Sequence, residues 1–237
     1  MGTVRIRIAL AVATSFLALA APAGARAGDV SGAVGLTSQL VDRGVAITEP
    51  GPVLEGLVAW NSPNGWSAAA AAAAEGRSGH AAQGLVRVAK AWPLPGDWQM
   101  QASLQYYHYS GFARLNAYEA GLAWTYRDLV TLSAAEIYAP DSRYRVRPAV
   151  DLNIHWPLPQ HFFLTAGLGY TRYVISRYAH HREYEVRDFY PYAQAGLGWS
   201  DGPWRVELNR VVLRGEVRRH LDRQAASPWL ATIAWSF

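Results

Sequence analysis

The chain has 237 residues, with 22 lysines and arginines against 18 acids and a formal charge of +4. Arg5, Arg7 and Arg26, with no acid, fall in the first 27 residues, so the remainder carries only +1 and no electrostatic footprint for nucleic acid. There is no cysteine, which excludes disulfide staples and suits an oxidising compartment.

Arg5 and Arg7 precede the apolar run 8–21, and the small residues behind it end in Ala25-x-Ala27. A short apolar run between a basic start and small residues has the pattern of a cleaved secretion signal, not of a buried helix or a membrane span. Residues 1–27 are therefore the expected signal peptide and 28–237 the expected mature domain. Past Ala27 no stretch approaches 18 apolar residues, so no transmembrane helix is expected there. The longest apolar block, 68–74, is too short for a helical span, whereas a tilted barrel strand needs only about 9–11 residues.

From residue 30 onward the chain alternates with period two and divides into twelve expected strands. They cover 30–43, 51–61, 66–75, 84–93, 98–110, 112–126, 129–139, 144–156, 161–175, 187–200, 204–213 and 228–237. In the fifth, Gln99, Gln101, Ser103, Gln105 and Tyr107 alternate with Trp98, Met100, Ala102, Leu104 and Tyr106. In the eighth, Arg145, Arg147, Asp151, Asn153 and His155 share one face, and Val146, Val150, Leu152, Ile154 and Trp156 the other. In the tenth, Tyr190, Tyr192 and Gln194 oppose Ala193, Ala195, Leu197 and Trp199. The last strand alternates likewise and stops on Phe237, which resembles the assembly signal that bacterial outer-membrane proteins present to their insertion machinery.

A soluble sandwich also alternates, so the connections decide the class. Every second one is tight: Ser62-Pro63-Asn64-Gly65, Pro93-Leu94-Pro95-Gly96-Asp97, Arg127-Asp128, Pro157-Leu158-Pro159-Gln160 and Asp201-Gly202-Pro203. The others are longer and more charged, notably 176–186 and 214–227. Short periplasmic turns, long extracellular loops and an even strand count are the plan of outer-membrane barrels. Nine of the ten tryptophans repeat the phase, since Trp60, Trp66, Trp92, Trp98, Trp124, Trp156, Trp199, Trp204 and Trp235 all lie beside the tight turns or the C-terminus. An interfacial aromatic girdle requires that placement, with the indole among acyl chains and its N–H towards headgroups. The expected fold is an all-β, transmembrane, antiparallel up-and-down barrel of about twelve strands. It is expected in the outer membrane of a Gram-negative bacterium, with both mature termini periplasmic.

Parity then assigns the interior. Thr37, Gln39, Arg43, Glu55, Arg87, Gln101, Gln105, Glu119, Arg145, Arg147, Asp151, Asn153, His155, Arg205 and Glu207 are expected to face the lumen. They make either a polar, mixed-charge path for small hydrophilic solutes or a lumen filled by its own ion pairs. Arg43, Arg145 and Arg147 near its upper end favour anions, against the acids close by. Lys90, Glu136 and Arg210 fall on the outward parity, which leaves open whether bulges turn them inward or they remain on the lipid face.

Residues 32–68 carry Leu36-Thr37-Ser38, Arg43-Gly44, Pro52 and the turn Asn64-Gly65-Trp66, and further on come 106–111 (YYHYSG) and Tyr118-Glu119. In these features the chain resembles the TorF family of porins. The resemblance implies an outer-membrane porin, and it names no solute.

Two other chemistries find partial matches in the sequence. His108 and Ser110 lie two apart on the outward face, resembling the arrangement in outer-membrane lipid A deacylases, but the next acid, Glu119, has the opposite parity. A triad needs its members within hydrogen-bond reach, so no enzyme is expected. His180, His181 and His220 lie in charged loops without the fixed spacing of a metal site, and no cofactor motif occurs. Expected partners are outer-membrane lipids and lipopolysaccharide, the assembly machinery and small solutes.

Overall fold

The period-two pattern becomes pairing in the computed structural model, which describes residues 30–76, 79, 81–110, 116–140, 146–172, 189–221 and 225–237. The leader expected at 1–27 lies outside them, as do Arg145, His180 and His181. The elements in chain order are β1 (Val30–Thr37), β2 (Val41–Asp42), β3 (Val45–Ala46), β4 (Val53–Asn61), β5 (Trp66–Glu75) and β6 (Ala81–Pro93). There follow β7 (Trp98–Tyr109), β8 (Ala117–Tyr126), β9 (Val130–Tyr138), β10 (Val146–Pro157), β11 (Phe162–Arg172), β12 (Phe189–Asp201), β13 (Trp204–Leu213), α1 (Gly215–Leu221) and β14 (Trp229–Ser236). All strands except β2 and β3 close into one barrel of nearest neighbours, sealed where β1 pairs β14. Closure removes the exposed strand edges that an open sheet would leave.

The tight turns reverse the chain through left-handed backbone at one end of the barrel. Arg127 and Asp128 (φ 50° and 59°) form one, Gln160 and His161 (59° and 69°) another, with Gly65, Gly96 and Gly202 at the rest. Two successive positive-φ residues give the primed turn whose twist matches the flanking strands. At the opposite end the 214–227 connection contains the seven-residue helix α1, where the sequence suggested only a charged loop.

Apolar side chains coat the outside: Leu54, Val58, Val86, Leu104, Leu168 and Leu208 are exposed, Leu104 by 68 %. A continuous apolar surface of this extent around a closed barrel is what a bilayer solvates. No helix among the described residues is long and apolar enough to cross a membrane. Seven of the nine tryptophans near the tight turns are exposed on this outer face, while Trp124 and Trp199 are half-buried there.

The three charges of outward parity stay outward. Pairing of β9, β13 and their neighbours runs without a register shift, so no bulge turns Glu136 or Arg210 inward. The ammonium of Lys90 lies 5.5 Å from the Trp66 ring centroid and donates to the Asn64 carbonyl, and Arg210 lies 5.2 Å from the Trp229 ring. Each long side chain reaches its end of the barrel over an aromatic ring. The register shift between Ala73 and Ala74, where β5 pairs β6, is remote from all three.

One expectation fails outright. The first strand does not run from 30 to 43: β1 ends at Thr37, and residues 38–52 fold into the barrel.

Candidate functional site

Arg43 and Gly44, at φ 48° and 81°, reverse the chain between β2 and β3. The pair turns a would-be strand extension into a small hairpin. Gly44 is favoured by its left-handed backbone, and a Cβ there would in addition have to displace the end of the Leu213 side chain at 2.8 Å. Thr48 stitches the base of the segment: its hydroxyl accepts from the Leu40 amide at 3.0 Å and its carbonyl from Gln39 Nε2 at 2.9 Å. Gln39 Oε1 in turn accepts from the Ser227 amide at 2.8 Å, tying the segment to the chain ahead of β14.

The hairpin sits in the lumen because both of its faces are apolar. Val41 packs in a buried cluster with Val211, Ala226 and Leu230, and Val45 with Tyr190 and Tyr192. Leu40, 1 % exposed, joins Leu57, Ala71, Ala73, Leu85 and Tyr107 across the lumen, with Ile47 against the same group. The alanine block of β5 thus supplies a wall thin enough to admit Leu40 and Ile47. The upper lumen is an apolar core around a plug, which parity alone did not reveal.

The tip carries a charge into this core. Arg43 Nη1 and Nη2 donate to Glu119 Oε2 and Oε1 at 3.1 and 3.0 Å, a bidentate pair with both partners buried. Arg43 also lies 3.7 Å from Asp151 and 3.9 Å from Asp42. Tyrosines complete the shell: Tyr107 donates to Glu119 at 3.3 Å, Tyr190 to the Arg43 carbonyl at 3.2 Å, and Tyr192 to Asp151. Such a centre holds only while every member is partnered, since an unpaired charge at this depth is strongly unfavourable.

Arg43 is therefore on the plug, whereas the expected placement was on the strand wall. Its charge is met by three acids, which removes much of the basis for an anion preference. Glu119 and Asp151 do face the interior beside it, and Arg147 is buried on β10. Glu55 is buried on β4 with no hydrogen bond to either carboxylate oxygen among the described residues. Arg87 is buried on β6, and its Nη2 donates to Gln101 at 2.7 Å. Arg43, Arg87, Glu119 and Asp151 share a cavity of about 20 Å³, room for one water.

A second group lies towards the tight-turn end. Arg205 pairs with Glu207 and lies 4.4 Å from the Phe163 ring, against which His155 packs at 4.8 Å. Asn209 donates to Glu207 at 3.1 Å. Glycines make room for these large groups. A Cβ on Gly198 would fall 2.1 Å from the Phe163 ring, and one on Gly169 the same distance from Tyr192.

His108 is exposed on the outer face and Glu119 buried inside, so the two do not meet. The residues that sequence reasoning missed are Leu40, Asp42 and Val45, whereas Tyr107, Tyr190 and Tyr192 stand on the expected inward face but were given no role. The one available signal was the Arg43-Gly44 pair, whose glycine suits the left-handed backbone of a hairpin turn.

The fold aligns with solved structures over nearly the whole barrel. The NanC porin matches at TM-score 0.55 and 12 % identity, over 88 % of this chain and 99 % of its own. The KdgM porin matches at TM-score 0.52 and 10 % identity, over 87 % and 98 %. A KdgM porin in complex with disordered oligogalacturonate gives 0.51 and 8 %, over 87 % and 95 %. The fold is that of these porins. No family model matches the sequence, and no curated protein does. At such identities the likeness is one of fold, and function has to be argued from the lumen.

Proposed function

We propose that this chain is an outer-membrane porin of a Gram-negative bacterium, passing small hydrophilic solutes, and a relative of the TorF porins it resembles. The observation that carries the reading is the closed twelve-stranded barrel with an apolar outside and ionisable groups turned inside. A bilayer supports the first and a solute path uses the second. In this reading Arg43, Glu55, Arg87, Glu119, Arg145, Arg147, Asp151, His155, Arg205 and Glu207 flank the path. The nine tryptophans form the periplasmic girdle against outer-membrane lipids, the helix-bearing end meets lipopolysaccharide, and Phe237 serves the assembly machinery. The KdgM complex with an oligogalacturonate supports the idea that a barrel of this size admits a hydrophilic solute.

Planar-bilayer recording of the refolded protein tests the reading, and discrete conducting steps are expected. A second reading, a barrel closed for good, has one observation behind it: the hairpin fills the upper lumen. Silent bilayers with correctly inserted protein would establish that second reading and overturn the first.

A further inference from the structure

We propose that residues 38–52 are a gate, and that Glu119 passes from Arg43 to Arg87 when it opens. The inference rests on the channel reading above and adds how the lumen clears.

The segment is separable from the wall. β2 and β3 share two residue pairs, Val41 with Ala46 and Asp42 with Val45, whereas each barrel ladder is far longer. Around the tip, the backbone link to the rest of the chain is the Ala226 amide donating to the Gly44 carbonyl at 3.1 Å, beside the bridge between Val45 and Ala225. Withdrawal of the hairpin leaves every barrel ladder intact. Backbone pairing therefore adds little to holding the hairpin, and opening has to expose the apolar contacts of Leu40, Val41 and Val45.

A further obstacle to opening is charge, because Arg43 leaving Glu119 would strand a buried carboxylate. Arg87 removes that electrostatic obstacle. It is 6 % exposed, its Nε and Nη1 have no partner among the described residues, and it lines the same cavity as Glu119. Arg87, Gln105 and Glu119 form one lateral row across β6, β7 and β8. Two strand spacings, about 9.6 Å between Cα atoms, separate Arg87 from Glu119. An arginine and a glutamate extended towards each other span that gap. With Arg43 gone, Arg87 turns its idle N–H groups onto Glu119, and Asp151 keeps its bond from Tyr192. Glu119 is then paired in both states, which leaves the apolar packing of the hairpin as the main difference between them.

The chain lacks cysteine, so an engineered disulfide is unique. Val45 and Ala225 face each other as antiparallel partners, within disulfide reach. V45C/A225C protein, with crosslinking checked by thiol titration, is recorded in planar bilayers before and after reduction. Oxidised channels are expected to open at least about tenfold less often than reduced ones. Arg43→Ala is expected to raise the open probability by at least about tenfold, and Arg87→Gln to lower it. Equal opening of the oxidised and reduced forms would overturn the gate while leaving the channel reading intact. Wild-type opening in Arg87→Gln would overturn the handover alone. Silence of every form, wild type included, would defeat the channel reading itself, so the three failures are distinguishable.

Discussion

Arg43 grips Glu119 with two parallel hydrogen bonds, at 3.0 and 3.1 Å, across 76 residues of sequence. The pair locks a hairpin from the connection between β1 and β4 onto the far wall of the barrel. Its loss leaves a guanidinium in an apolar core with only longer contacts to Asp151 and Asp42. Glu119→Gln is expected to destabilise the refolded barrel by about 3 kcal/mol, the lower end of the range for breaking a buried pair. Urea unfolding in detergent measures it, and a double-mutant cycle with Arg43→Ala should return a coupling energy well above the noise. A coupling near zero would show that the pair is decorative.

Gly198 lies directly beneath the Phe163 ring. Gly198→Ala is expected to cost about 1–3 kcal/mol through overpacking. The same substitution in a Phe163→Ala background should be close to neutral, because the ring that the new Cβ meets is gone. An equal cost in both backgrounds would trace the effect to the backbone.

The outer face near mid-barrel should tolerate no charge. Leu104, the single leucine of β7, sits there exposed on the outer face. Leu104→Arg is expected to cost about 2–4 kcal/mol in a bilayer, read from unfolding in lipid vesicles. A cost near zero would place Leu104 in contact with water.

Orientation follows from the turns. A cysteine at Gln160, in a tight turn, should stay unlabelled by a membrane-impermeant thiol reagent on intact cells, and one at the exposed Arg218 on α1 should react. Reversed labelling would turn the barrel over.

Luminal charge sets ion preference only where ions pass. Arg147 is buried on the inner face of β10. Arg147→Glu, alone or with Arg145→Glu, is expected to move the reversal potential in a salt gradient towards cations, since a narrow surround screens poorly. Conducting channels with an unchanged reversal potential would put the path elsewhere.

Strand number, orientation of faces and turn chemistry were legible in the sequence because each is local. Alternation is written residue by residue, so Val146, Val150, Ile154 and Trp156 stand on the outer face of β10 without knowledge of any neighbour. Arg127-Asp128 makes its turn from its own backbone preferences, and the tryptophans mark one end by their spacing along the chain. Even Lys90 and Arg210 have only two outcomes in the sequence, and unshifted pairing at each decides between them.

The plug was beyond that reach. Parity sends Arg43 inward whether residues 38–43 extend β1 or leave it, so the pattern is the same for a strand wall and for a hairpin in the lumen. What separates the two is a set of partners distant in sequence: Glu119 on β8, Asp151 on β10, Tyr190 and Tyr192 on β12, and the cluster of Val211, Ala226 and Leu230. The sequence by itself determined a barrel, because a strand's two faces are decided by the residues it contains. Only the tertiary structure decided what fills it, because a buried charge and an apolar hairpin are stable solely where other strands bring the matching charges and the empty space together.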